Sequence, residues 1–384
     1  MKMKLKILYI IPVMGLGGAE KMLGDICFEM NRRGHQVKVV SLHEPHFSFE
    51  LYPRKEEFIK LTQFEIITFT TSLHPQSLGI NIDSKEYHRI LHEFKPDIIH
   101  SHLFESELIS HAYHYPHAKY FSHVHDNMYQ LEDLLKKSRK KRSIAEYFER
   151  NWIRKKYKQF NNTFIAISQD TLNFTRRVLP AKLKNRVHLV KNAINYKAYA
   201  NSLDRSIGNR TIKLVSVGNL VPKKNHQLLI SVCDELQKRG IDFTCDILGF
   251  GKLNDELQKQ IDSCSLTEKV ILRGSVPNVH DFLNEADIYV HPASYEPFGL
   301  VILEAMAAGL PVVCRNGNGN KDIHVEGETG YMIEDDNVTA FADKISYLSE
   351  HPDVYKKMSL FVREFSKQYD IEVYAEKLLH LYQS

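Results

Sequence analysis

The sequence predicts an α/β protein with two parallel-sheet domains, and three observations support this. The chain has 384 residues, which is more than one ordinary core accommodates and suits two domains. Short apolar runs alternate with amphipathic helical patterns along most of the chain, as in β-α-β units. A polar stretch between about residues 192 and 212 interrupts this alternation once. We therefore expect two Rossmann-like domains that face each other across a cleft.

In the first half, the run Ile7–Val13 predicts a buried strand that leads into a glycine loop. Three lysines precede this run, as in a signal peptide, but no small-residue cleavage site follows it. The helical pattern Ala19–Arg33 comes next and is closed by Gly34. Further strands are predicted at Gln36–Leu42, Asp97–Ser101, Lys119–Val124 and Thr163–Ile167.

The second half repeats this alternation, which predicts a second sheet of the same type. The predicted strands are Ile212–Val217, Phe243–Leu248, Val270–Leu272, Asp287–His291 and Pro311–Cys314. The predicted helices are Gln227–Arg239, Leu253–Cys264, Gly299–Ala308 and Val338–Leu348. The organisation expected is an N-terminal domain over 1–195, a linker over 196–211, a C-terminal domain over 212–365 and a last helix over 366–384 that could pack back on the N-terminal domain.

The composition, with 43% apolar and 26% charged residues, is that of an ordinary soluble globular protein. We find no pattern of a membrane-spanning segment. The five cysteines are odd in number and widely spaced, so they predict neither a disulfide framework nor a metal site. We therefore expect a cytoplasmic protein.

Ligands of open parallel sheets bind in the loops beyond the carboxyl ends of the strands, and the second half has suitable loops there. Gly218 follows the first strand and permits close backbone approach, and Lys224 follows it beside a new helix, where its ammonium would neutralise a phosphate. Gly249 follows the next strand and would leave room for a base or ribose. The first amides of the helix Gly299–Ala308 would point at an anion. Together these loops suit a nucleotide diphosphate.

Two carboxylates, Glu296 and Glu304, flank the start of that helix. They would repel the phosphates of a ligand but would accept hydrogen bonds from the vicinal hydroxyls of ribose and of a hexose. Considered as a spacing alone, the pair fits a structural role better, in which Glu296 ends a loop and Glu304 pairs with a lysine on a helix face.

The sequence from Ser294 to Val313, with Glu296, Gly299, Glu304, Gly309 and Pro311, resembles the signature of retaining glycosyltransferases of family four, which have the GT-B fold. The resemblance extends over almost the whole chain and is closest to members that build bacterial cell-surface polysaccharides and lipid-linked glycans. Its other landmarks are Gly17-Gly18-Ala19-Glu20, Pro96-Asp97-Ile-Ile-His100, His125-Asp126, Asn192, Gly319-Asn320-Lys321-Asp322 and Gly327-Glu-Thr-Gly330.

The resemblance implies roles for several of these residues. Glu296 would contact the donor sugar near its anomeric carbon, and His125 would contact the sugar from the N-terminal domain; these are the predicted catalytic residues. Lys224 would bind the diphosphate and Glu304 the ribose. The other predicted donor-binding residues are Gly17, Gly18, Gly218, Asn219, Gly249, Phe298, Gly299 and Leu300.

The chain departs from the family pattern at Asn219, where an arginine is usual, and at Pro297, where glycine is common. An asparagine does not replace a guanidinium charge, so Lys224, with Lys223 or Arg315, would have to balance the diphosphate. Proline has no N–H, so the donors of this loop must come from later residues.

Four histidines, His100, His102, His123 and His125, follow predicted strands and could face the cleft. Only His125 matches the family's active-site histidine; His100 and His102 are candidates for the acceptor side. Their spacing reflects alternation in and after strands, and no Asp-x-Asp triplet is present, so we expect no metal. The resemblance likewise implies no metal and no cofactor, because the nucleotide-sugar is a substrate.

The segment from Lys136 to Lys158 holds eleven Lys and Arg against two Glu, and apolar side chains are interleaved with them. This pattern, extended over 131–158, suits either an anionic membrane surface or a solvated helix with a core-facing stripe. The resemblance favours the membrane, and no nucleic-acid module accompanies the charge.

The function expected is transfer of a hexose, with retention, from a UDP- or GDP-linked donor to a glycan or polyprenyl-linked acceptor in surface polysaccharide synthesis. The protein would work in the cytoplasm, at the inner face of the plasma membrane. The alternatives are a nucleotide-sugar epimerase of similar fold and a non-catalytic partner that binds sugar nucleotide.

Overall fold

A computed structural model describes residues 4–74, 79–132, 144–208 and 210–384. The chain divides into two compact units, which are described separately below. Unit 1 consists of residues 1–191 and 374–384, and unit 2 of residues 192–373.

Unit 1 is built on a parallel sheet of seven strands in the order β3-β2-β1-β6-β7-β8-β9. Its interior contains two clusters of buried apolar side chains, as expected of a parallel sheet covered by helices. A separate antiparallel hairpin is formed by β4 and β5. The strands of unit 1 are β1 (Lys6–Ile11), β2 (Gln36–Ser41), β3 (Glu65–Ile66), β4 (Thr70–His74), β5 (Gly79–Asp83), β6 (Ile98–His102), β7 (Lys119–Val124), β8 (Thr163–Ala166) and β9 (Val187–Leu189).

The helices of unit 1 bury one face each against this sheet. The clearest local signal is at α6, where the Ser168 side chain accepts from Thr171 N and the two residues form a capping box. The helices are α1 (Gly18–Arg32), α2 (Lys55–Thr62), α3 (Lys85–Phe94), α4 (Phe104–Ser110), α5 (Ile144–Gln159) and α6 (Gln169–Val178).

Unit 2 repeats the scheme with a parallel sheet of six strands in the order β12-β11-β10-β13-β14-β15. The strands are β10 (Ile212–Val217), β11 (Phe243–Leu248), β12 (Val270–Gly274), β13 (Ile288–His291), β14 (Val312–Arg315) and β15 (Gly330–Ile333). The helices are α7 (Tyr196–Tyr199), α8 (His226–Lys238), α9 (Asn254–Ser263), α10 (Val279–Glu285), α11 (Leu300–Ala307), α12 (Val338–Glu350) and α13 (Pro352–Ser366), and the last helix is α14 (Ile371–Gln383).

The polar stretch predicted as a linker is tied to unit 2 by Arg205. Its side chain is buried, and its guanidinium donates to the carbonyl oxygens of Ala308 at 2.7 Å and Leu283 at 2.8 Å. A charged donor that satisfies several buried carbonyls holds a loop firmly in place. Residues 201–208 therefore form part of the surface of this unit.

The basic segment lies partly outside the described residues, because 133–143 are not among them. In α5, which follows, Phe148, Ile153 and Tyr157 are buried in the core of unit 1. The apolar stripe of α5 thus faces the core, as the solvated-helix alternative predicts. No helix in the described parts of the chain combines the length and the apolar character needed to cross a bilayer.

Candidate active site

The candidate site of unit 2 is built at the carboxyl ends of β10, β11 and β13. After β10 the chain forms a short 3₁₀ turn, Pro222–Lys224, that precedes α8. A Cβ placed on Gly218 would lie 3.3 Å from Lys224 Cδ, so the glycine gives the lysine side chain the space to cross the loop. This path brings Lys224 to the end of β13, because β10 and β13 are neighbours in the sheet.

Glu296 receives the Lys224 ammonium directly. Lys224 Nζ lies 2.6 Å from Glu296 Oε2, and His291 Nε2 lies 3.0 Å from the same oxygen. Behind the imidazole, Tyr289 Oη is 3.2 Å from His291 Nδ1. Glu296 is 7% exposed, so this carboxylate is buried, paired and held by a hydrogen-bonded neighbour.

The charges of the site follow from this arrangement. Burial alone would raise the pKa of Glu296, but the Lys224 ammonium and the His291 hydrogen bond outweigh burial and hold that pKa far below its usual range. Burial lowers the pKa of His291, although Glu296 opposes this, and burial lowers the pKa of His226 to about 3. At neutral pH Glu296 is therefore a carboxylate paired with the Lys224 ammonium, and the imidazoles of His291 and His226 are uncharged.

The loop after Glu296 leads into α11, which begins at Leu300. Gly299 is the N-cap with φ = 106°, a left-handed conformation that suits glycine. Ile302 N donates to Gly299 O at 3.0 Å, so only the earlier amides of this turn could serve an anion. Phe298 is 1% exposed, so this residue packs in the interior of unit 2. Glu304 lies one turn into α11 and is 4% exposed.

Gly249 lies where the backbone of a neighbouring loop leaves no room for a side chain. It has φ = 146°, and a Cβ there would lie 2.0 Å from the carbonyl oxygen of Gly218. The backbone of the 218 loop therefore excludes a side chain at this position, and the expectation that Gly249 leaves room for a base or ribose stays a prediction. Asn219, next to this contact, is exposed.

Sequence reasoning missed the residues that support Glu296. The loop of Gly317 and Gly319 packs against it: Glu296 N donates to Gly317 O at 2.8 Å, and Gly319 N donates to Glu296 O at 3.0 Å. A Cβ on Gly319 would lie 1.9 Å from Pro297 O. His291 was also missed, although a histidine at the end of a buried strand, five residues before Glu296, was a usable signal.

The two side chains considered as substitutes for the missing arginine are already engaged. Arg315 Nε pairs with Asp336 at 2.5 Å, and its Nη1 donates to Ser294 O at 3.1 Å. Lys223 Nζ lies 6.0 Å from the centroid of the Tyr295 ring. Lys224 is engaged as well, through its pair with Glu296, so the choice of Lys224 as the cation for a diphosphate stays a prediction.

The other predicted site residues belong to unit 1. His125 follows β7, is 8% exposed, and its Nε2 lies 2.8 Å from His102 Nδ1. Gly17 is the N-cap of α1 and Gly18 its first residue. His100 and His102 are fully buried, which argues against the direct acceptor contact predicted for them.

The chain has two α/β units with parallel sheets, and the second unit carries the loop after β10 and the N-terminus of α11 at the ends of its strands. This arrangement is that of the GT-B fold class. Residues 16–197 match the family model described as "Glycosyltransferase Family 4", and residues 203–365 match the model described as "Glycosyl transferases group 1". The chain belongs to the family-four glycosyltransferases.

Known proteins agree with this assignment. An uncharacterized glycosyltransferase of Methanocaldococcus jannaschii is 28% identical over 200 residues, 52% of this chain and 54% of the relative. A Campylobacter jejuni N-acetylgalactosamine-N,N'-diacetylbacillosaminyl-diphospho-undecaprenol 4-alpha-N-acetylgalactosaminyltransferase is 27% identical over 186 residues, 48% of this chain and 50% of the relative. The chain thus spans about half the length of the curated relatives it matches. The crystal structure of Anabaena HepE in complex with UDP and glucose shares the fold, with a TM-score of 0.76, 17% identity and coverage of 99% of this chain and 100% of that one.

Proposed function

We propose that this protein is a retaining glycosyltransferase that moves a hexose from a UDP- or GDP-linked donor to a glycan or polyprenyl-linked acceptor in bacterial surface polysaccharide synthesis. The observation that carries the proposal is the buried Lys224–Glu296 pair in the loops that lead into α8 and α11. A site that keeps an ammonium and a carboxylate in contact offers separate partners for a diphosphate and for sugar hydroxyls.

In the proposed mechanism, donor binding separates the Lys224–Glu296 ion pair, and each of the two charged groups then contacts the donor. The diphosphate takes the Lys224 ammonium, and Glu296 turns to hydroxyls of the hexose, while Glu304 binds the ribose. Lys224 and the first amides of α11 stabilise the charge that grows on the leaving diphosphate. The departing phosphate takes the proton of the acceptor hydroxyl, so the reaction stays on one face of the sugar. This scheme requires no metal ion.

Two relatives support the substrate classes. HepE was solved with UDP and glucose, which supports a UDP-linked hexose. The Campylobacter relative acts on a diphospho-undecaprenol acceptor by its name, which supports a polyprenyl-linked acceptor. A GDP-linked hexose is the second candidate donor.

The test is incubation with UDP- and GDP-hexoses, with and without a polyprenyl-diphosphate glycan. A transferred hexose supports the proposal, an epimerised donor indicates an epimerase, and binding without turnover indicates a non-catalytic partner. Glu304→Ala should weaken donor binding and transfer by at least about 10-fold, whereas Glu268→Ala, at an exposed position of unit 2, should change neither. Normal transfer by the Glu304 variant would refute the site assignment. Inversion of the anomeric configuration would refute retention.

We further propose that the protein works in the cytoplasm and associates with the membrane through the basic residues of 131–158. Because the apolar stripe of α5 is buried, this association would be electrostatic. Vesicle flotation with anionic lipid should show weaker binding when Lys140, Lys141 and Arg142, which lie outside the described residues, are changed to Ser. Unchanged flotation, or equal binding to neutral vesicles, would contradict the proposal.

A further inference from the structure

Four histidines of unit 1 lie together on one face of its sheet. His100 and His102 alternate along β6, and His123 and His125 occupy the corresponding face at the end of β7. The register pairs His102 with His123 across the two strands. Because side chains two residues apart point to the same face, the alternation gathers all four rings. Ring centroids of neighbouring members lie between 4.0 and 5.2 Å apart.

One ring nitrogen of each histidine is already assigned to a hydrogen bond. His100 Nδ1 lies 2.6 Å from Tyr382 Oη, and His102 Nδ1 lies 2.8 Å from His125 Nε2. His123 Nε2 lies 3.4 Å from Tyr374 Oη. These contacts fix the orientation of the rings, as hydrogen bonds to the outer nitrogen do for histidines that ligate metals.

The second nitrogens of two rings lack such partners. Among the described residues, His100 Nε2 and His102 Nε2 have no hydrogen-bond partner, and both side chains are fully buried. A buried polar atom left unsatisfied costs about 1–3 kcal/mol. Two such atoms in adjacent rings therefore call for a ligand that binds nitrogen lone pairs.

The geometry points to a metal ion. One ring nitrogen from each of His100, His102 and His123 lies within 4.8 Å of the others. Nitrogens that share a tetrahedral zinc ion at 2.0–2.1 Å are roughly 3.3 Å apart, so the ring nitrogens would have to approach one another by at most about 1.5 Å on binding.

We propose that His100, His102 and His123 form a binding site for a divalent transition-metal ion of the zinc type. Imidazole nitrogens suit zinc, copper and nickel better than magnesium or calcium, which prefer oxygen ligands. The site is separate from the donor site of unit 2 and does not rest on the proposed function. An ion on His102 Nε2 would leave the hydrogen on Nδ1, which would then donate to His125 Nε2 and fix the tautomer of His125.

A second histidine pair must be removed before the site is tested. His88 and His92 are exposed on α3, one turn apart, with their Nε2 atoms 3.0 Å apart. Such an i, i+4 pair can bind zinc at the surface. The reference protein is therefore the full chain, without an affinity tag, that carries His88→Ala and His92→Ala.

The experiment is a titration of this chelator-treated reference protein with Zn²⁺ against a chromophoric chelator. A separate zinc-free sample of the same protein receives Co²⁺ and is measured by visible spectroscopy. We expect one Zn²⁺ per chain and intense cobalt bands typical of four or five ligands. Adding His100→Gln should weaken Zn²⁺ binding by more than the roughly 10- to 100-fold cost of losing a hydrogen-bonded neighbour of a ligand.

His111→Gln is the matched control. His111 is a buried histidine of the same unit, hydrogen-bonded to Asn162 at 3.1 Å and outside the cluster, so zinc affinity should not change. Absence of zinc binding and of cobalt bands in the reference protein would overturn the proposal without any buried substitution. Equal zinc affinity in a folded His100→Gln variant, checked by its melting curve, would overturn it too.

Discussion

Replacing Lys224 by Met should destabilise unit 2 before any substrate is considered. The change leaves the Glu296 carboxylate buried without its ammonium partner, and breaking a buried ion pair in this way costs about 3–5 kcal/mol. The Lys224 side chain is 18% exposed and His291 stays 3.0 Å from Glu296, which reduces the cost. We therefore expect a loss of about 2–3 kcal/mol, somewhat below this range. A double variant that also carries Glu296→Gln has no unpaired buried carboxylate at this position and should regain most of the lost stability.

The pH dependence gives the sign of the effect. Because Lys224 lowers the pKa of Glu296 in the folded protein, the pair stabilises above about pH 4.5, the unfolded value, and this contribution is lost as pH falls through the folded pKa. In Lys224→Met, burial dominates and raises the pKa of Glu296. The deficit of the variant should therefore be largest at pH 8 and shrink toward pH 5.

Hydrogen exchange of the β13 amides measures the loss of stability locally in unit 2, and urea unfolding measures it for the whole protein. Lys252→Met, at an exposed position, is the matched control and should stay within about 0.5 kcal/mol of the original protein. A Lys224→Met protein as stable as the control at pH 8, or a deficit that does not change with pH, would refute the reasoning.

Burial raises the pKa of Glu107 to about 8, so the folded protein keeps a proton that the unfolded chain loses above about pH 4.5. The free energy of unfolding should therefore fall between these pH values by at most about 1.4 kcal/mol per pH unit. Urea unfolding at several pH values measures this fall, and a Glu107→Gln variant with the same pH dependence as the original protein would contradict the prediction. Gly249→Ala should cost more than about 3 kcal/mol because its Cβ would meet Gly218 O at 2.0 Å, whereas Gly240→Ala, with φ = 72° and no atom within 4 Å, should cost about 1 kcal/mol; thermal melts that rank the two variants in reverse would contradict the packing argument. If the proposed donor site is right, Asn219→Arg should tighten UDP binding by about 10-fold in calorimetry, less at high salt; unchanged affinity would count against Asn219 as a donor-site position.

The sequence predicted the central strands well because their signal is local. Ile212–Val217, Phe243–Leu248 and Lys119–Val124 were confirmed to the residue, since each is a short strand-like run with apolar residues at its core. The strand predicted at Ile7–Val13 ends at Ile11, because Pro12 has no N–H for the ladder. Short edge strands were missed: β9 has three residues and β15 has four, too few to show a period.

The site was predictable in composition but not in contacts. Glu296, Glu304 and Lys224 were singled out by position in loops and by the family signature. That Lys224 and Glu296 touch depends on β10 and β13 being neighbours, although 72 residues separate the two side chains. No local pattern encodes that adjacency. The roles assigned to these residues in binding and catalysis stay predictions.

The assignment of residues 374–384 to unit 1 has a consequence for synthesis on the ribosome. Tyr382 Oη lies 3.2 Å from Tyr9 Oη, and Lys119 Nζ donates to the carbonyl oxygen of Tyr382 at 3.1 Å, so this segment covers a face laid down at the start of translation. The 182 residues of 192–373 are made in between, which at 5–20 residues per second takes roughly 10 to 40 s. For that time the nascent unit 1 presents its tyrosine- and histidine-bearing face uncovered to the cell.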